Sequence, residues 1–191
     1  MVVTDRACYL EKTRVELTGA GFQPGAGYTV ARDGQPIGSG TVAADGSVAG
    51  AFGSDVLPDG IAEKSFDLSV SDGTSQANSA FRVSAFRALF TPSRGNPRRL
   101  RVRFSVFGML GAKLPVYLHY VRPDGSAART VYLGRTKGPC GSINETRKRQ
   151  LFPFRAGNGR WLLQFDTRKS YRTTARPRIV RAVTLTKSAK R

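Results

Sequence analysis

The chain has 191 residues, of which 31 are Lys or Arg, 13 are Asp or Glu and 40% are apolar. No apolar run approaches the about 20 residues that a membrane-spanning helix needs, so we expect no membrane span. The charge is divided along the sequence: residues 1–85 carry 6 basic against 10 acidic residues, and residues 86–191 carry 25 against 3. This division predicts two domains, a mildly acidic one over 1–85 and a strongly basic one over 86–191.

Turn sequences at regular intervals mark the first half as a series of short strands. Asp-Gly pairs occur at 33–34, 45–46, 59–60 and 72–73, a spacing that suits successive antiparallel strands. Between the turns apolar residues alternate with polar ones, as over residues 66–70, which indicates strands with one buried face. The pattern predicts an Ig-like β-sandwich over 1–85, and turn chemistry explains the four aspartates without a calcium site.

The second half keeps the strand pattern but has a cationic solvent face. Over residues 99–106, apolar side chains alternate with three arginines and a serine. The sequence Arg-Pro-Asp-Gly at 122–125 predicts a hairpin, and a last strand is predicted near 179–185. These strands predict a second β-sandwich over 86–191. We expect a short stiff connection near 82–97, although Phe86, Leu89 and Phe90 are apolar enough to form an opening strand of the second domain. The basic tail over 187–191 is expected to be frayed.

Candidate anion-binding residues are spread over the second half. Arginine outnumbers lysine 19 to 6 there, and a planar guanidinium suits the oxygens of carboxylates and phosphates. The net charge of +22 repels itself unless counter-ions or an anionic partner screen it. We therefore expect a surface that binds an anionic polymer or an acidic protein surface. The candidates are Arg99, Arg101, Arg103, Arg147, Lys148, Arg149, Arg168, Lys169, Arg172, Arg176 and Arg178.

Nucleic acid is a further candidate polyanion, although the sequence has no helix-turn-helix, zinc-finger or RRM signature. Single-strand binders place aromatic rings beside basic residues, and Tyr117, Tyr132 and Tyr171 are the candidates for such a face. We expect the other aromatics, such as Trp161 and Phe165, to lie in the core. Nucleic acid is therefore not the favoured partner.

Cys8 and Cys140 are the only cysteines, and His119 is the only histidine. The cysteines form either an interdomain disulfide in an oxidising compartment or two separate buried thiols, and the sequence leaves both open. We expect no cofactor and no metal site built from Cys and His. Cys140 and His119 have the residue types of a nucleophile and its base, but no catalytic motif surrounds Cys140. We predict a non-enzymatic protein in which His119 is a surface or partly buried structural residue.

Several segments resemble a known family. Residues 8–11 (Cys-Tyr-Leu-Glu), 15–25 (Val-Glu-Leu-Thr-Gly-Ala-Gly-Phe-Gln-Pro-Gly), 33–34 (Asp-Gly) and 44–47 (Ala-Asp-Gly-Ser) resemble bacterial Ig-like modules of the IPT/TIG type in secreted actinobacterial proteins. The resemblance implies a scaffold rather than a chemistry, with Phe22 at the end of the sandwich. In the second half, residues 138–141, 151–154 and 159–166 resemble a domain that accompanies such modules in exported proteins, and this resemblance implies no catalytic residue.

These observations predict an all-β chain of two consecutive β-sandwich (Ig-like) domains. The predicted function is that of a non-enzymatic structural or adhesion-type protein, extracellular or in the cell envelope, whose basic domain binds an anionic surface or polymer. The first residues show no signal-peptide pattern, which favours an alternative: a phage virion structural protein, such as a capsid decoration or tail module. A nucleic-acid-binding protein is a lesser alternative.

Overall fold

The computed structural model describes residues 1–186, and every regular element in them is a β-strand. The chain divides into two compact units, Met1–Ala85 and Phe86–Arg191. In each unit the strands form two sheets that enclose an apolar core. The fold class predicted from the sequence, two consecutive β-sandwich domains of Ig-like type, is therefore confirmed.

The first unit has a three-stranded and a five-stranded sheet. Its strands are β1 (Val2–Thr4), β2 (Cys8–Leu10), β3 (Arg14–Ala20), β4 (Gly27–Arg32), β5 (Gln35–Thr41), β6 (Ser47–Gly53), β7 (Glu63–Ser71) and β8 (Gln76–Ser84). The sheet orders are β1-β3-β6 and β2-β8-β7-β4-β5. The pair β2-β8 is parallel and the other pairs are antiparallel. The N-terminal segment contributes β1 to the three-stranded sheet and β2 to the five-stranded sheet.

The side chains predicted to face inward in the first unit are buried. Phe81 lies at the centre of this core, and its ring centroid is 5.6–5.8 Å from those of Tyr9, Phe52 and Phe66. These rings come from both sheets, so they hold the two layers together, and burial of each large side chain contributes about 2 kcal/mol. Phe22 is also buried, just after the end of β3, as the resemblance implied.

One of the four Asp-Gly pairs closes a two-residue hairpin. Asp33 and Gly34 have φ of 47° and 79° and join β4 to β5. Positive φ at both positions gives the turn that suits the twist of paired strands, which is why glycine follows a short polar residue. The pairs at 45–46 and 59–60 lie instead in connections between the two sheets, and 72–73 lies in a longer hairpin turn. All four pairs therefore lie between successive strands, and two of them join strands of different sheets.

The second unit has a three-stranded and a four-stranded sheet. Its strands are β9 (Arg87–Thr91), β10 (Arg101–Phe107), β11 (Pro115–Val121), β12 (Ala127–Arg135), β13 (Arg149–Gln150), β14 (Gly159–Asp166) and β15 (Arg178–Leu185). The sheet orders are β13-β10-β9 and β12-β11-β14-β15. The predicted hairpin at 122–125 joins β11 to β12, and β15 covers the last predicted strand, so both predictions are confirmed.

Two boundaries in the second unit differ from the prediction. Residues 87–91 form β9, paired with β10, where a stiff connection was expected. The apolar side chains of this segment pack into the core, so a strand forms although prolines follow it. Phe90 packs against Phe104, with ring centroids 6.3 Å apart. β10 begins at Arg101, so Arg99 lies in the turn before it. The tail over 187–191, predicted to be frayed, lies outside the described residues.

The core of the second unit has two aromatic centres. Phe104 and Phe165 meet between the sheets, with ring centroids 5.8 Å apart, among fully buried aliphatic side chains. A second centre contains Tyr120, Phe152, Phe154 and Trp161, whose contacting rings have centroids 5.3–5.9 Å apart. Two of these rings come from the connection between β13 and β14, so the second centre fixes that connection against the sheet.

Candidate anion-binding surfaces

The second unit has three acidic side chains, and each of them has a partner within the unit. Glu145 Oε2 pairs with Arg103 Nη1 at 2.9 Å. Asp124 accepts hydrogen bonds from the amide and hydroxyl of Ser126, which hold the pKa of this carboxyl below its ordinary value. Asp166 is buried in a polar network. Among residues 86–186, these carboxylates therefore form a single ion pair with an arginine.

A first group of cationic candidates lies on the outer face of the sheet β13-β10-β9. Arg101 and Arg103 are exposed on β10, and Arg99 is exposed in the turn before it. Residues 143–150 run antiparallel to β10, as shown by the pairing of Val106 with Ile143 and of Arg101 with Gln150. Residues 147 and 148, both exposed, therefore lie beside the arginines of β10.

A second group lies in the connection between β14 and β15, over residues 167–177. Its backbone is held on the outer face of the four-stranded sheet, where Gln164 Nε2 donates to the carbonyl oxygen of Arg172 at 2.9 Å. Arg168, Lys169, Arg172 and Arg176 are exposed along this connection. Because the inner faces of the two sheets meet in the core, the two groups lie on opposite outer faces of the unit and do not form one surface.

The remaining two candidates are half-buried. Arg149 lies at the sandwich edge, where its Nη1 donates to the carbonyl oxygen of Tyr132 at 3.4 Å. Arg178 is the first residue of β15, and its backbone lies opposite that of Asp166 in the strand register. Neither side chain is as accessible to an external anion as the exposed members of the two groups.

His119 is fully buried, which corrects the prediction of a surface or partly buried residue. Its Nε2 lies 3.3 Å from Asp166 Oδ1 and 3.1 Å from the carbonyl oxygen of Arg168, and its Nδ1 lies 2.8 Å from Thr130 Oγ1. In the neutral ring Nε2 carries the proton, because both of its partners are acceptors, and Nδ1 accepts from the Thr130 hydroxyl. The ring is buried because the connection over 167–177 covers this part of the sheet.

The same network lowers the pKa of Asp166. Burial raises the pKa of this carboxyl, but hydrogen bonds from His119, from Gln164 Nε2 at 2.7 Å and from the Arg168 amide at 2.8 Å outweigh the burial. The carboxylate is therefore ionised in the folded chain at neutral pH. The network holds together β11, β14 and the cationic connection, so its evident role is to position that connection.

The three candidate tyrosines lie on the outer face of the four-stranded sheet. Tyr117 and Tyr132 are cross-strand neighbours with ring centroids 5.5 Å apart, and Tyr132 is 49% exposed. Tyr171 packs over His119, with ring centroids 5.7 Å apart. The structure thus places these rings on the same face as the second cationic group.

An arginine-lined cleft, which the sequence analysis missed, lies at one end of the second unit. Arg122, Arg129 and Arg155 line a hollow of about 530 Å³ together with Phe154 and Trp161. A neighbouring hollow of about 490 Å³ adds Arg98 and shares part of this lining. The lining comes from three separate chain segments, so no run of charge in the sequence marks it.

The wall of this cleft depends on a glycine. Gly159 has φ of 118°, and a Cβ atom built on it would lie 2.6 Å from Pro123 Cγ. The first residue of β14 therefore packs directly against the β11-β12 turn, a contact that a larger residue would prevent.

The aromatic centre beside the cleft contains an unsatisfied hydroxyl. Tyr120 is fully buried, and its hydroxyl has no hydrogen-bond partner among the described residues. Burial raises the pKa of Tyr120 far above its ordinary value, and the charges of Arg149 and Arg129 lower it only in part.

Cys8 and Cys140 are both buried, at 4% and 1% exposure. They belong to different units, and the disulfide between them stays a prediction. Among residues 1–186, no group of three or more His, Cys, Asp or Glu side chains is placed to hold a metal ion. Nor does this part of the chain contain a helix with the length and apolarity of a membrane span.

Comparisons with known proteins found no family, and the similar solved structures resemble this chain at low TM-scores. No family model matches the chain, and no curated protein matches it. One similar solved structure is a tetra-tandem repeat in the extending region of a large adhesion protein, at 12% identity and a TM-score of 0.31; the match covers 97% of this chain and only 48% of that one. The human OSCAR ligand-binding domain is similar at 9% identity, 96% coverage of both chains and a TM-score of 0.34.

A further similar structure is that of the fibronectin(III)-like modules of CbhA from Clostridium thermocellum. The identity is 14%, the match covers 86% of this chain and 84% of that one, and the TM-score is 0.29. At such TM-scores these likenesses do not bear on function. The Ig-like assignment rests on the strand pairing, and the similarity of residues 1–80 to IPT/TIG modules stays a resemblance.

Proposed function

We propose that this chain is a non-enzymatic structural or adhesion module of the cell envelope or exterior, attached to an anionic polymer by its second unit. The observation that carries the proposal is the state of the carboxylates in that unit. Residues 86–191 contain 25 basic against 3 acidic residues, and only Glu145 pairs with an arginine within the described part of the unit. Most guanidinium groups of the described part therefore have no carboxylate partner within the fold, which favours an external anion.

Two features support a binding role rather than catalysis. Both ring nitrogens of His119 are taken by hydrogen bonds inside the fold, so the ring is arranged as a structural group. The exposed side chains of Arg101 and Arg147 make no hydrogen bond or ion pair among the described residues, so their guanidinium donors are available to an anion. The resemblance to modules of secreted proteins supports the proposed location.

The test is binding of the full chain to polygalacturonate, polyglutamate, duplex DNA and neutral dextran at increasing salt. An anionic polymer is expected to bind at about 0.15 M salt, its affinity is expected to fall steeply as salt increases, and dextran is expected not to bind. A matched variant, Lys12→Gln with Arg14→Gln, removes two charges from the first unit and should leave binding nearly unchanged. Absence of binding to every anionic polymer would overturn the proposal, and binding to DNA alone would replace it by nucleic-acid binding.

A further inference from the structure

The arginine-lined cleft has a chemistry that the two outer faces lack. Its arginines are Arg98, Arg122, Arg129 and Arg155, and no carboxylate of the described residues lines either hollow. The nearest acidic residue in sequence, Asp124, is engaged by Ser126. Asp124 lies near enough to Arg122 for the guanidinium charge to lower the pKa of this carboxyl, but its side chain does not line the cleft. Four guanidinium groups in a concave site lined by no carboxylate favour an anionic ligand.

Three of the four arginines are held in place by neutral acceptors. Arg98 Nη1 donates to the carbonyl oxygen of Thr186 at 2.7 Å, and its Nη2 donates to Asn158 Oδ1 at 2.6 Å. Arg122 Nη1 donates to the carbonyl oxygen of Ala127 at 3.0 Å, and Arg129 Nη1 donates to that of Pro153 at 2.9 Å.

These contacts orient the side chains without cancelling their charge. Each guanidinium has five N–H donors, so several on each arginine remain for a ligand. Arg155 is exposed and makes no hydrogen bond among the described residues, so its side chain is free to close over a bound anion.

The cleft also has an apolar wall. Phe154 is half-buried and packs edge-on against Tyr120 and Phe152, with ring centroids 5.3 and 5.9 Å apart, so the ring is held rigidly at the surface. Trp161 is buried and donates its indole N–H to the carbonyl oxygen of Gly157 at 3.0 Å. The site thus offers a single aromatic surface beside several cationic donors.

We infer that this cleft binds consecutive acidic sugar residues of an anionic polysaccharide, an inference that rests on the proposed function. The carboxylate or sulfate groups pair with the arginines, the apolar face of one sugar ring packs on Phe154, and Asn158 is exposed to bond the hydroxyls. The two adjoining hollows share Phe154 and Asn158, which suits neighbouring units of one polymer. Single-stranded nucleic acid fits less well, because successive bases need successive exposed rings and the cleft presents one.

The test measures binding of the full chain to three tetrasaccharides by calorimetry at about 0.15 M salt. The probes are a galacturonate, a sulfated and a neutral tetrasaccharide. The cleft variant is Arg129→Gln with Arg155→Gln. The matched control is Arg101→Gln with Arg147→Gln, which removes the same charge from exposed side chains outside the cleft.

At least one acidic tetrasaccharide is expected to bind and the neutral one is not. The cleft variant should bind it about tenfold more weakly, because charge-assisted hydrogen bonds are lost, and the control should lose no more than about twofold. Phe154→Ala should weaken the binding of the same tetrasaccharide several-fold. If the double variant proves unfolded by thermal melting, Arg155→Gln alone carries the test, since that side chain makes no contact on which the fold depends.

Equal losses in the cleft and control variants would overturn the inference while the proposed function stands, since binding would then be spread over the basic surface. If long anionic polymers bind the chain but neither acidic tetrasaccharide does, the inference about the cleft is also overturned. If no anionic polymer binds at all, the proposed function itself fails.

Discussion

Replacement of Tyr120 by Phe is expected to stabilise the second unit. The ring is fully buried against Phe152 and Phe154, and the substitution keeps those contacts. The hydroxyl has no partner among the described residues, and a buried hydroxyl in that state costs about 1–3 kcal/mol. Removal of one oxygen leaves a gap of about 10 Å³, worth about 0.3 kcal/mol. The free energy of unfolding of Tyr120→Phe should therefore rise by about 1 kcal/mol.

The assay is chemical denaturation of the full chain followed by tryptophan fluorescence. Trp161 is the only tryptophan and contacts the ring of Phe152, so its signal reports on this unit. Thr136→Val is the matched control: the Thr136 hydroxyl is buried, donates to the carbonyl oxygen of Gly111 at 2.6 Å and accepts from the Leu114 amide at 2.9 Å. This variant should lose about 1–3 kcal/mol. A loss of stability in Tyr120→Phe as well would refute the reasoning, because the hydroxyl would then have a partner in solution.

Alkaline pH provides a second check on the same residue. The pKa of Tyr120 is raised by folding, so above about pH 10 the folded chain binds more protons than the unfolded chain. The stability linked to this proton is fully present below that pH and is lost as the pH rises. Wild-type protein should therefore lose stability above about pH 10 faster than Tyr120→Phe does. Equal losses of stability in the wild-type protein and in Tyr120→Phe would contradict the raised pKa of Tyr120.

Three further predictions concern other features. The pKa of Asp166 is lowered by folding, so its contribution to stability is present above about pH 4 and lost on acidification; Asp166→Asn should cost about 2 kcal/mol at neutral pH and flatten the acid side of the stability profile. Gly159→Ala should lower the free energy of unfolding by about 1–3 kcal/mol, whereas Gly157→Ala, whose added Cβ meets nothing within 4 Å, should have little effect. Peptide mapping without reductant should recover Cys8 linked to Cys140; reduced thiols in native protein would contradict the disulfide and weaken the proposed location.

The parts of the fold that depend on local sequence were predictable. Alternation over residues 66–70 identified the buried face of β7, because a strand with one buried face repeats every two residues. The Arg-Pro-Asp-Gly turn was also predicted from local sequence, because the backbone geometry of a turn depends on its own residues. The same logic failed at residues 87–91, where prolines nearby outweighed an apolar segment that pairs with β10.

The parts that depend on distant contacts were not predictable. His119 alternates with the core residues Leu118 and Tyr120, as a solvent-facing residue would. Only the folding of 167–177 back over the sheet buries it. The arginine-lined cleft is similar, because its side chains come from positions far apart in the sequence. The candidates predicted from the sequence lie in clusters of basic residues such as 147–149, whereas the cleft is lined by single arginines beside turns.

The way in which the cleft arginines are held links ligand binding to stability. An arginine paired with a carboxylate has its charge compensated inside the fold, whereas Arg98, Arg122 and Arg129 are anchored by uncharged oxygen acceptors. Their mutual repulsion opposes the folded state until an anion screens it. An anionic ligand that binds the folded cleft more tightly than the unfolded chain therefore stabilises the fold, by an amount that grows with ligand concentration above the Kd. Simple salt screens the repulsion too but competes for the donors, so salt that stabilises the free protein must weaken the complex.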